Sequence, residues 1–194
     1  MARIKQITSK KDISNEHHGI FDSIASSRGR ISGPFSVLLH SPEVAGRAAH
    51  LGAYIRFESL LKDDDREVAI ITAAREMNCN YEWAAHVPIA MEAGITQEVV
   101  DVINERGSTD EVAPNYSLII RYARQLINEK KVDQETFEQA VSKYGEQGVT
   151  ELTATIGYYG MLACALNVFE VTPESGKPTP VSYTHLTLPT TPYV

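Results

Sequence analysis

The apolar run ATIGYYGMLACALNVF, residues 154–169, constrains the fold of this chain more than any other segment. It contains no charged residue, so it predicts a helix over about 147–169 that is buried in a helical core or a subunit interface. A membrane span is the alternative, because a span needs about 20 predominantly apolar residues. Gly157, Gly160 and Asn167 interrupt the run, and no basic flank marks an orientation, which favours the buried helix.

The other apolar residues also recur at helical spacing, and no segment alternates with the two-residue period of a strand. Capping residues, prolines and glycines place further helices at about 14–26, 42–60, 63–78, 81–93, 97–104, 114–126 and 133–144. The Gly- and Pro-rich stretch 26–36 is predicted to be a loop. The sequence therefore predicts an all-α protein. One broad face of the 42–60 helix is predicted to consist of Val44, Ala48, Leu51, Ile55 and Leu60.

Composition describes one globular domain of 194 residues, with 18 Lys+Arg against 25 Asp+Glu and 43% hydrophobic residues. A domain of this size buries enough apolar surface to fold without a disulfide or a structural metal. The net charge of −7 argues against nucleic-acid binding, which requires a basic surface. Two distant cysteines and an N-terminus without an apolar signal segment predict a cytoplasmic protein that does not associate with membranes.

The segment VSYTHLTLPTTPYV, residues 181–194, differs from the rest of the chain because it is uncharged, rich in Thr and Pro, and without a helical period. Its opening residues match the translation of a transposon adaptor used in sequencing libraries. We interpret 181–194 as adaptor read-through, with a natural C-terminal tail as the alternative. The predicted organisation is an N-terminal helix and arm at 1–27, a helical domain at 28–172 and a disordered tail at 173–194.

Residues with catalytic potential concentrate between Glu67 and His86, in the segment EVAIITAAREMNCNYEWAAH. On a helix, Cys79, Glu82 and His86 at i, i+3 and i+7 share one face. Glu67 reaches the same place if its helix and the next one pack as a hairpin. A carboxylate beside a buried imidazole fixes the tautomer and raises the imidazole pKa, and a thiol beside that pair is pushed toward the thiolate. The pattern indicates an acid–base or thiol site.

Two other interpretations of this cluster stay open. Glu82 and His86 at i, i+4 are also typical of a surface pair, and Cys79 of a small buried core residue. Cys79, Glu82 and His86 are all metal-ligating residue types, but a mixed Cys/Glu/His set is uncommon and lacks a second His or Cys. We therefore expect neither a metal nor a cofactor.

The same residues resemble the carboxymuconolactone decarboxylase family, which also contains the AhpD-type alkylhydroperoxidases. Its peroxidase branch has a Glu, then eleven residues, then C-x-x-C-x-x-x-H, and Glu67, Cys79 and His86 match three of these four positions. Glu82 occupies the second Cys position, so Cys79 has no neighbouring thiol with which to close a disulfide. The pattern is closer to the decarboxylase-like branch. Over most of 28–170, the resemblance implies an AhpD-like helical bundle and a trimer or hexamer with the site near a subunit boundary.

The resemblance implies a cofactor-free lyase that acts on a carboxylated lactone or a similar aromatic-degradation intermediate. The namesake reaction converts 4-carboxymuconolactone into the enol-lactone of 3-oxoadipate and CO2. Loss of CO2 leaves a dienolate, which hydrogen-bond donors stabilise and an acid reprotonates. We predict that His86, oriented by Glu82 or Glu67, is this acid. The predicted substrate-binding residues are Arg28, Arg30, His40 and Arg47 for carboxylates, and Tyr81 and Trp83 as pocket walls.

Two alternatives belong to different functional classes. A thiol-dependent alkylhydroperoxidase of peroxiredoxin type would use Cys79 with an external reductant. A non-enzymatic helical assembly protein would use the apolar last helix for subunit contacts and the polar cluster for structure alone. A Cys79 pKa well below the usual value of about 8.5, together with peroxide reactivity, would favour the peroxidase.

Overall fold

The computed structural model describes residues 2–180, and every regular element in that range is helical. Two single-turn 3-10 helices, Lys10–Asp12 and Asn15–His17, precede eight α-helices. The predicted all-α class is therefore confirmed, whereas the interpretation of 181–194 concerns residues outside the described range. The helices are α1 (His18–Arg28), α2 (Pro34–Leu38), α3 (Pro42–Phe57), α4 (Asp63–Glu76), α5 (Asn80–Glu92), α6 (Gln97–Asn104), α7 (Pro114–Glu129) and α8 (Gln134–Val168).

Local sequence signals explain most helix boundaries. Pro42 and Pro114 occupy the first turns of α3 and α7, where a missing N–H removes no hydrogen bond. The Asp133 carboxylate accepts a hydrogen bond from the Thr136 amide at 2.8 Å and caps the start of α8. Gly145, with φ of 67°, breaks α8 at the point where the sequence predicted one helix to end and another to begin. Residues 146–168 continue through the core.

Helix α4 lies at the centre of the bundle, packed against α5, α7 and α8. It is buried continuously from Asp65 to Arg75, although this stretch contains several charged residues. Buried charges of this kind are tolerated because they are paired or hydrogen-bonded. One of them, Glu67, lies where α4 faces α5. The central helix therefore carries a carboxylate into the interior, next to the helix that contains His86.

Three residues of the broad face predicted for 42–60 are exposed, and one of them, Leu60, lies beyond the end of α3. Val44, Leu51 and Leu60 are 48%, 44% and 61% exposed. Small side chains form the real contact surface, because they allow α3 to lie close to α1 and α8. A Cβ at Gly52 would lie 2.2 Å from the hydroxyl oxygen of Tyr158 on α8. The buried residues of α3 are Ala45, Ala48, Ala49, Gly52 and Ile55.

The stretch 26–36, predicted as a loop, is helical at both ends, because α1 continues to Arg28 and the five-residue helix α2 begins at Pro34. Gly33 precedes it with φ of 53°, a backbone conformation that favours glycine, and Pro34 starts its first turn. Phe35 and Val37 anchor it in the core. A helix this short depends on tertiary packing, since isolated helices of its length are unstable in water.

The second part of α8 is buried on one side and exposed on the other. Leu152, Ile156 and Leu166 face the core, whereas Met161 and Val168 are 42% and 53% exposed. The expectation that this helix is apolar and buried on all sides therefore holds for only part of its circumference within one chain. Burial of the rest by neighbouring subunits stays a prediction. Among residues 2–180, no helix has the length and apolarity that crossing a membrane requires.

Candidate active site

The His86 ring is buried between two carboxylates. Its Nδ1 atom lies 2.8 Å from Oε2 of Glu67, and its Nε2 atom lies 3.5 Å from Oε2 of Glu82. Glu67 comes from α4, and Glu82 lies one turn before His86 on α5. The α4–α5 hairpin therefore brings together the three acid–base residues that the sequence singled out.

The two carboxylates have different relations to the imidazole. Glu67 accepts the hydrogen bond from Nδ1–H, which orients the ring and leaves Nε2 directed toward Glu82. Burial raises the pKa of Glu82 above its usual value, and the nearby charge of Glu67 raises it further, while His86 and Arg56 oppose the shift. Glu82 therefore keeps its proton to a higher pH than an ordinary carboxyl group does.

Two tyrosines of α8 hold the imidazole from the side. The Tyr159 ring meets the His86 ring edge-on, with centroids 5.0 Å apart, and Tyr158 packs edge-on against Tyr159 at 5.4 Å. Burial raises the pKa of Tyr159 well above its usual value, so its hydroxyl stays protonated. Both residues belong to the apolar run 154–169, where sequence reasoning found only packing. Their hydroxyl groups were the available signal, because a buried tyrosine usually needs a polar partner.

Glu82 and His86 line a cavity of about 350 Å³. Aromatic rings of Phe35, Tyr81 and Tyr158 also line it. Gly33 allows the α2 loop to approach Tyr81, because a Cβ there would lie 2.6 Å from Cε1 of the ring. The cationic side chains that line the cavity are Arg28, Arg30, Arg56 and Lys177.

Arg28 and Arg56 extend from different helices toward the same cavity. The guanidinium of Arg28 lies 4.2 Å from the centroid of the Phe35 ring, and its Nη2 atom donates to the Ala49 carbonyl at 3.2 Å. Arg56 forms no ion pair with any carboxylate in the range 2–180, yet its charge lowers the pKa of Glu82. Sequence reasoning missed Arg56. It follows Ala49 and Gly52 at i+7 and i+4, along the small-residue face of α3 that packs inward.

Comparison with known proteins identifies the family. Residues 42–113 match the model of the carboxymuconolactone decarboxylase family. This segment makes up less than half of the chain. It contains Glu67, Cys79, Glu82 and His86, so the resemblance predicted from these residues is confirmed. No curated protein matches the sequence.

Solved structures share the fold at low sequence identity. A peroxidase-related protein from Silicibacter sp. TM1040 superposes with a TM-score of 0.71 and 12% identity, covering 90% of this chain and 92% of that chain. The debrominase Bmp8 gives 0.62 and 17% identity, covering 89% and 92%. A cysteine-to-alanine variant of Bmp8 in complex with 2,3,4-tribromopyrrole gives 0.65 and 16%, covering 90% and 94%. At these identities, the comparisons establish the AhpD-like fold alone.

Three of the predicted binding residues do not line the cavity. The Nε2 atom of His40 pairs with the Lys5 carbonyl at 2.8 Å, away from the site. Arg47 is exposed and pairs with Glu43 one turn earlier on α3. Trp83 is 2% exposed because it points into the hydrophobic core. Of the predicted binding residues, Arg28, Arg30 and Tyr81 do line the cavity.

Cys79 is separated from the acid–base cluster, although it matches the first cysteine of the family's peroxidase pattern. It is the N-cap of α5, with an extended backbone, so the spacing of a helical face does not apply to it. Its thiol is fully buried in an apolar cluster with Val37, Ala163, Leu166 and Val171. Burial raises the pKa of Cys79 to about 12, although hydrogen bonds from the backbone of Glu82 and Tyr81 oppose the shift.

The predicted displacement of Cys79 toward the thiolate is therefore wrong. A thiol without water or a cationic partner retains its proton. The alternative of a metal held by Cys79, Glu82 and His86 also lacks the required geometry. Within residues 2–180, no three His, Cys, Asp or Glu side chains are grouped so that they could hold a metal ion.

Proposed function

We propose that this protein is a cofactor-free lyase that decarboxylates a small, unsaturated carboxylated substrate. One observation carries the proposal: a buried imidazole lies between two carboxylates and opens onto a cavity lined by arginines. This arrangement supplies a proton donor and an anion-binding surface in the same place. Membership of residues 42–113 in the carboxymuconolactone decarboxylase family supports the choice of reaction.

Decarboxylation needs a place for the electron pair that CO2 leaves behind. When the bond between carbon and carboxylate breaks, its electrons move into the conjugated system and form an enolate. Arg28 and Arg56 line the same cavity as His86, so their positive charges are available to this developing anion. A guanidinium also binds a substrate carboxylate through two parallel hydrogen bonds. The cavity can therefore bind the substrate and stabilise the intermediate.

The enolate then takes a proton at carbon from His86 Nε2. Glu67 holds the opposite ring nitrogen through its 2.8 Å hydrogen bond and stabilises the charged imidazole before transfer. Glu82, whose pKa is raised by burial, then returns a proton to the neutral imidazole. Solvent reprotonates Glu82 after product release. One proton is consumed and one CO2 is released in each cycle.

Aromatic side chains suit the cavity to a flat substrate. Phe35, Tyr81 and Tyr158 present rings to the same space as the arginines. The cysteine-to-alanine variant of the debrominase that shares the fold was solved in complex with 2,3,4-tribromopyrrole, which is a planar ring. A planar lactone or aromatic-degradation intermediate with at least one carboxylate fits both the charge and the shape. The assembly expected from the family is a trimer or hexamer.

A thiol peroxidase is the second candidate, and the position of Cys79 at the start of α5 favours it. The backbone of Glu82 and Tyr81 lowers the pKa of the Cys79 thiol there, although burial outweighs this effect. A solved structure with the same fold is that of a peroxidase-related protein. Complete burial of Cys79 opposes this candidate, because a hydroperoxide would have to enter the apolar cluster.

Purified protein assayed with carboxylated lactones and with organic hydroperoxides plus a dithiol separates these candidates. We expect CO2 release from a lactone carboxylate. His86→Ala should lower kcat by about 10²- to 10⁴-fold, because it removes the acid. Cys79→Ala should remain within a few-fold of wild type. His40→Ala is the matched control, because that histidine lies outside the cavity.

If the protein consumes hydroperoxides and Cys79→Ala abolishes this activity, the proposed function changes from lyase to peroxidase. No turnover of any lactone or hydroperoxide would contradict both enzymes and favour the assembly protein.

A further inference from the structure

The chain segment after α8 crosses the solvent-exposed rim of the active-site cavity. Val171 anchors this segment, since its side chain is buried and its N–H donates to the Leu166 carbonyl at 2.9 Å. Beyond that anchor, Pro173, Glu174 and Lys177 line the cavity. Residues 172–177, called the strap below, thus face the same space as His86 and Glu82.

A single polar interaction holds the strap against the helical domain. Oε1 of Glu174 lies 2.9 Å from Nη2 of Arg30, on the loop before α2. Both side chains are about two-thirds exposed, at 66% and 69%. Within the described range, no other hydrogen bond or ion pair joins residues 172–177 to the rest of the protein. Exposed ion pairs stabilise weakly, so the strap can separate from Arg30 easily.

The ion pair lies beside the cavity wall, because Arg30, Glu174 and Tyr81 all line the cavity. Burial of the Tyr81 ring raises its pKa most, and of the two charges of the ion pair Arg30 lowers the pKa and Glu174 raises it. Both partners therefore act on a ring that lines the cavity. A carboxylate already sits on Arg30 at this place, and a substrate carboxylate is chemically equivalent to it.

We propose that Glu174 holds on Arg30 the position that a substrate carboxylate takes, and that Lys177 contacts the bound substrate. Exchange of one carboxylate for another leaves the guanidinium paired throughout, so no uncompensated charge arises. Release of Glu174 also makes the rim more positive, because the cavity that Arg28, Arg30, Arg56 and Lys177 line then has one carboxylate fewer. The inference rests on the proposed function only in that the substrate is an anion.

Binding of isophthalate, a planar dicarboxylate, to the full chain by calorimetry tests this inference without any turnover. Glu174→Gln should bind isophthalate about 3- to 10-fold more tightly than wild type, because the competing carboxylate is gone. Lys177→Met should bind about 3- to 10-fold more weakly. Glu170→Gln is the matched control. Glu170 is also exposed and pairs with Arg3, but it does not line the cavity, so its affinity should stay at the wild-type value.

Hydrogen exchange of residues 172–177 gives a second readout, and isophthalate should slow it in wild type but not in Lys177→Met. Equal affinities for wild type, Glu174→Gln and Lys177→Met would overturn the inference, as would an absence of saturable binding to wild type and Glu174→Gln. The result of the lyase assay is independent of the result of the binding experiment. The predicted affinity pattern without lyase activity would refute only the proposed reaction, whereas lyase activity with equal affinities would refute only the strap.

Discussion

The two sides of the first turn of α5 show how the same burial has opposite chemical consequences. Glu82 and Cys79 are three residues apart, and both are almost fully buried. Burial raises the pKa of each because water no longer stabilises the charged form. A carboxyl group that keeps its proton is a useful acid, whereas a thiol that keeps its proton is inert. The same burial therefore favours a proton donor at Glu82 and an unreactive thiol at Cys79.

The two residues also differ in their neighbours. Glu82 faces His86, Arg56 and an open cavity, so proton exchange with substrate and solvent is possible. Cys79 contacts Val37 and Leu166 in a closed apolar cluster. A carboxyl group beside an imidazole and a cation retains a way to transfer its proton. The comparison therefore predicts a sharp contrast in reactivity between two residues that are three positions apart at the start of α5.

Alkylation by iodoacetamide should show the largest effect. With a pKa of about 12, Cys79 has so little thiolate at pH 8 that it should react about 10³-fold more slowly than an ordinary exposed thiol. Cys164, the exposed cysteine, supplies the internal reference, and mass spectrometry distinguishes the two sites. Comparable rates at both cysteines would remove the contrast and restore Cys79 as a reactive thiol.

Arg56→Met tests the polar side of the comparison. Loss of this cation should weaken isophthalate binding by about 10-fold, because a charge-assisted hydrogen bond is lost. Arg47→Met is the matched control on the same helix, since Arg47 is exposed and pairs with Glu43. If Arg56→Met leaves the affinity for isophthalate unchanged, this arginine affects only Glu82 and does not bind the anion.

Glu82→Gln should change stability in a pH-dependent way, and this is the smallest effect. The folded-state pKa of Glu82 is raised above the ordinary value of 4.5. Below pH 4.5 both states are protonated, and wild type and variant should melt alike. As pH rises through the folded-state pKa, wild type loses stability because its buried carboxyl must ionise. The variant has no such group and should melt about a few degrees higher at pH 8.

Glu92→Gln is the control for this melting experiment, because Glu92 is exposed at the end of the same helix. It should shift the melting temperature equally little at both pH values. A Glu82→Gln variant that melts below wild type at pH 8 would mean that ionised Glu82 stabilises the fold through His86.

Sequence patterns predicted those parts of the fold that local chemistry decides. Pro42, Pro114, Asp133 and Gly145 mark helix boundaries through backbone preferences that need no tertiary context. The short helix α2 and the inward face of α3 depend instead on packing against distant residues. Apolar side chains indicated the wrong face of α3 because close helix packing there requires small residues rather than large ones.

The site shows the same division between local and distant information. Glu67, Glu82 and His86 could be predicted because a helical hairpin and one helix turn bring them together. Arg56 and Tyr158 could not, because no spacing rule connects α3 and α8 to α5. Cys79 was misplaced by the assumption that the helix had already begun, whereas its backbone is extended. Lys177 was assigned to a predicted tail, although it lines the cavity.

Tyr81 is the one described side chain that both lines the cavity and packs against the Cys79 cluster. Its ring therefore forms a wall shared by the active-site cavity and the apolar cluster around Cys79. Replacement of Tyr81 by serine removes this ring, and a tyrosine codon is one nucleotide from a serine codon. In this fold, a single substitution at Tyr81 therefore separates a thiol that is isolated from the cavity from a thiol that opens onto it.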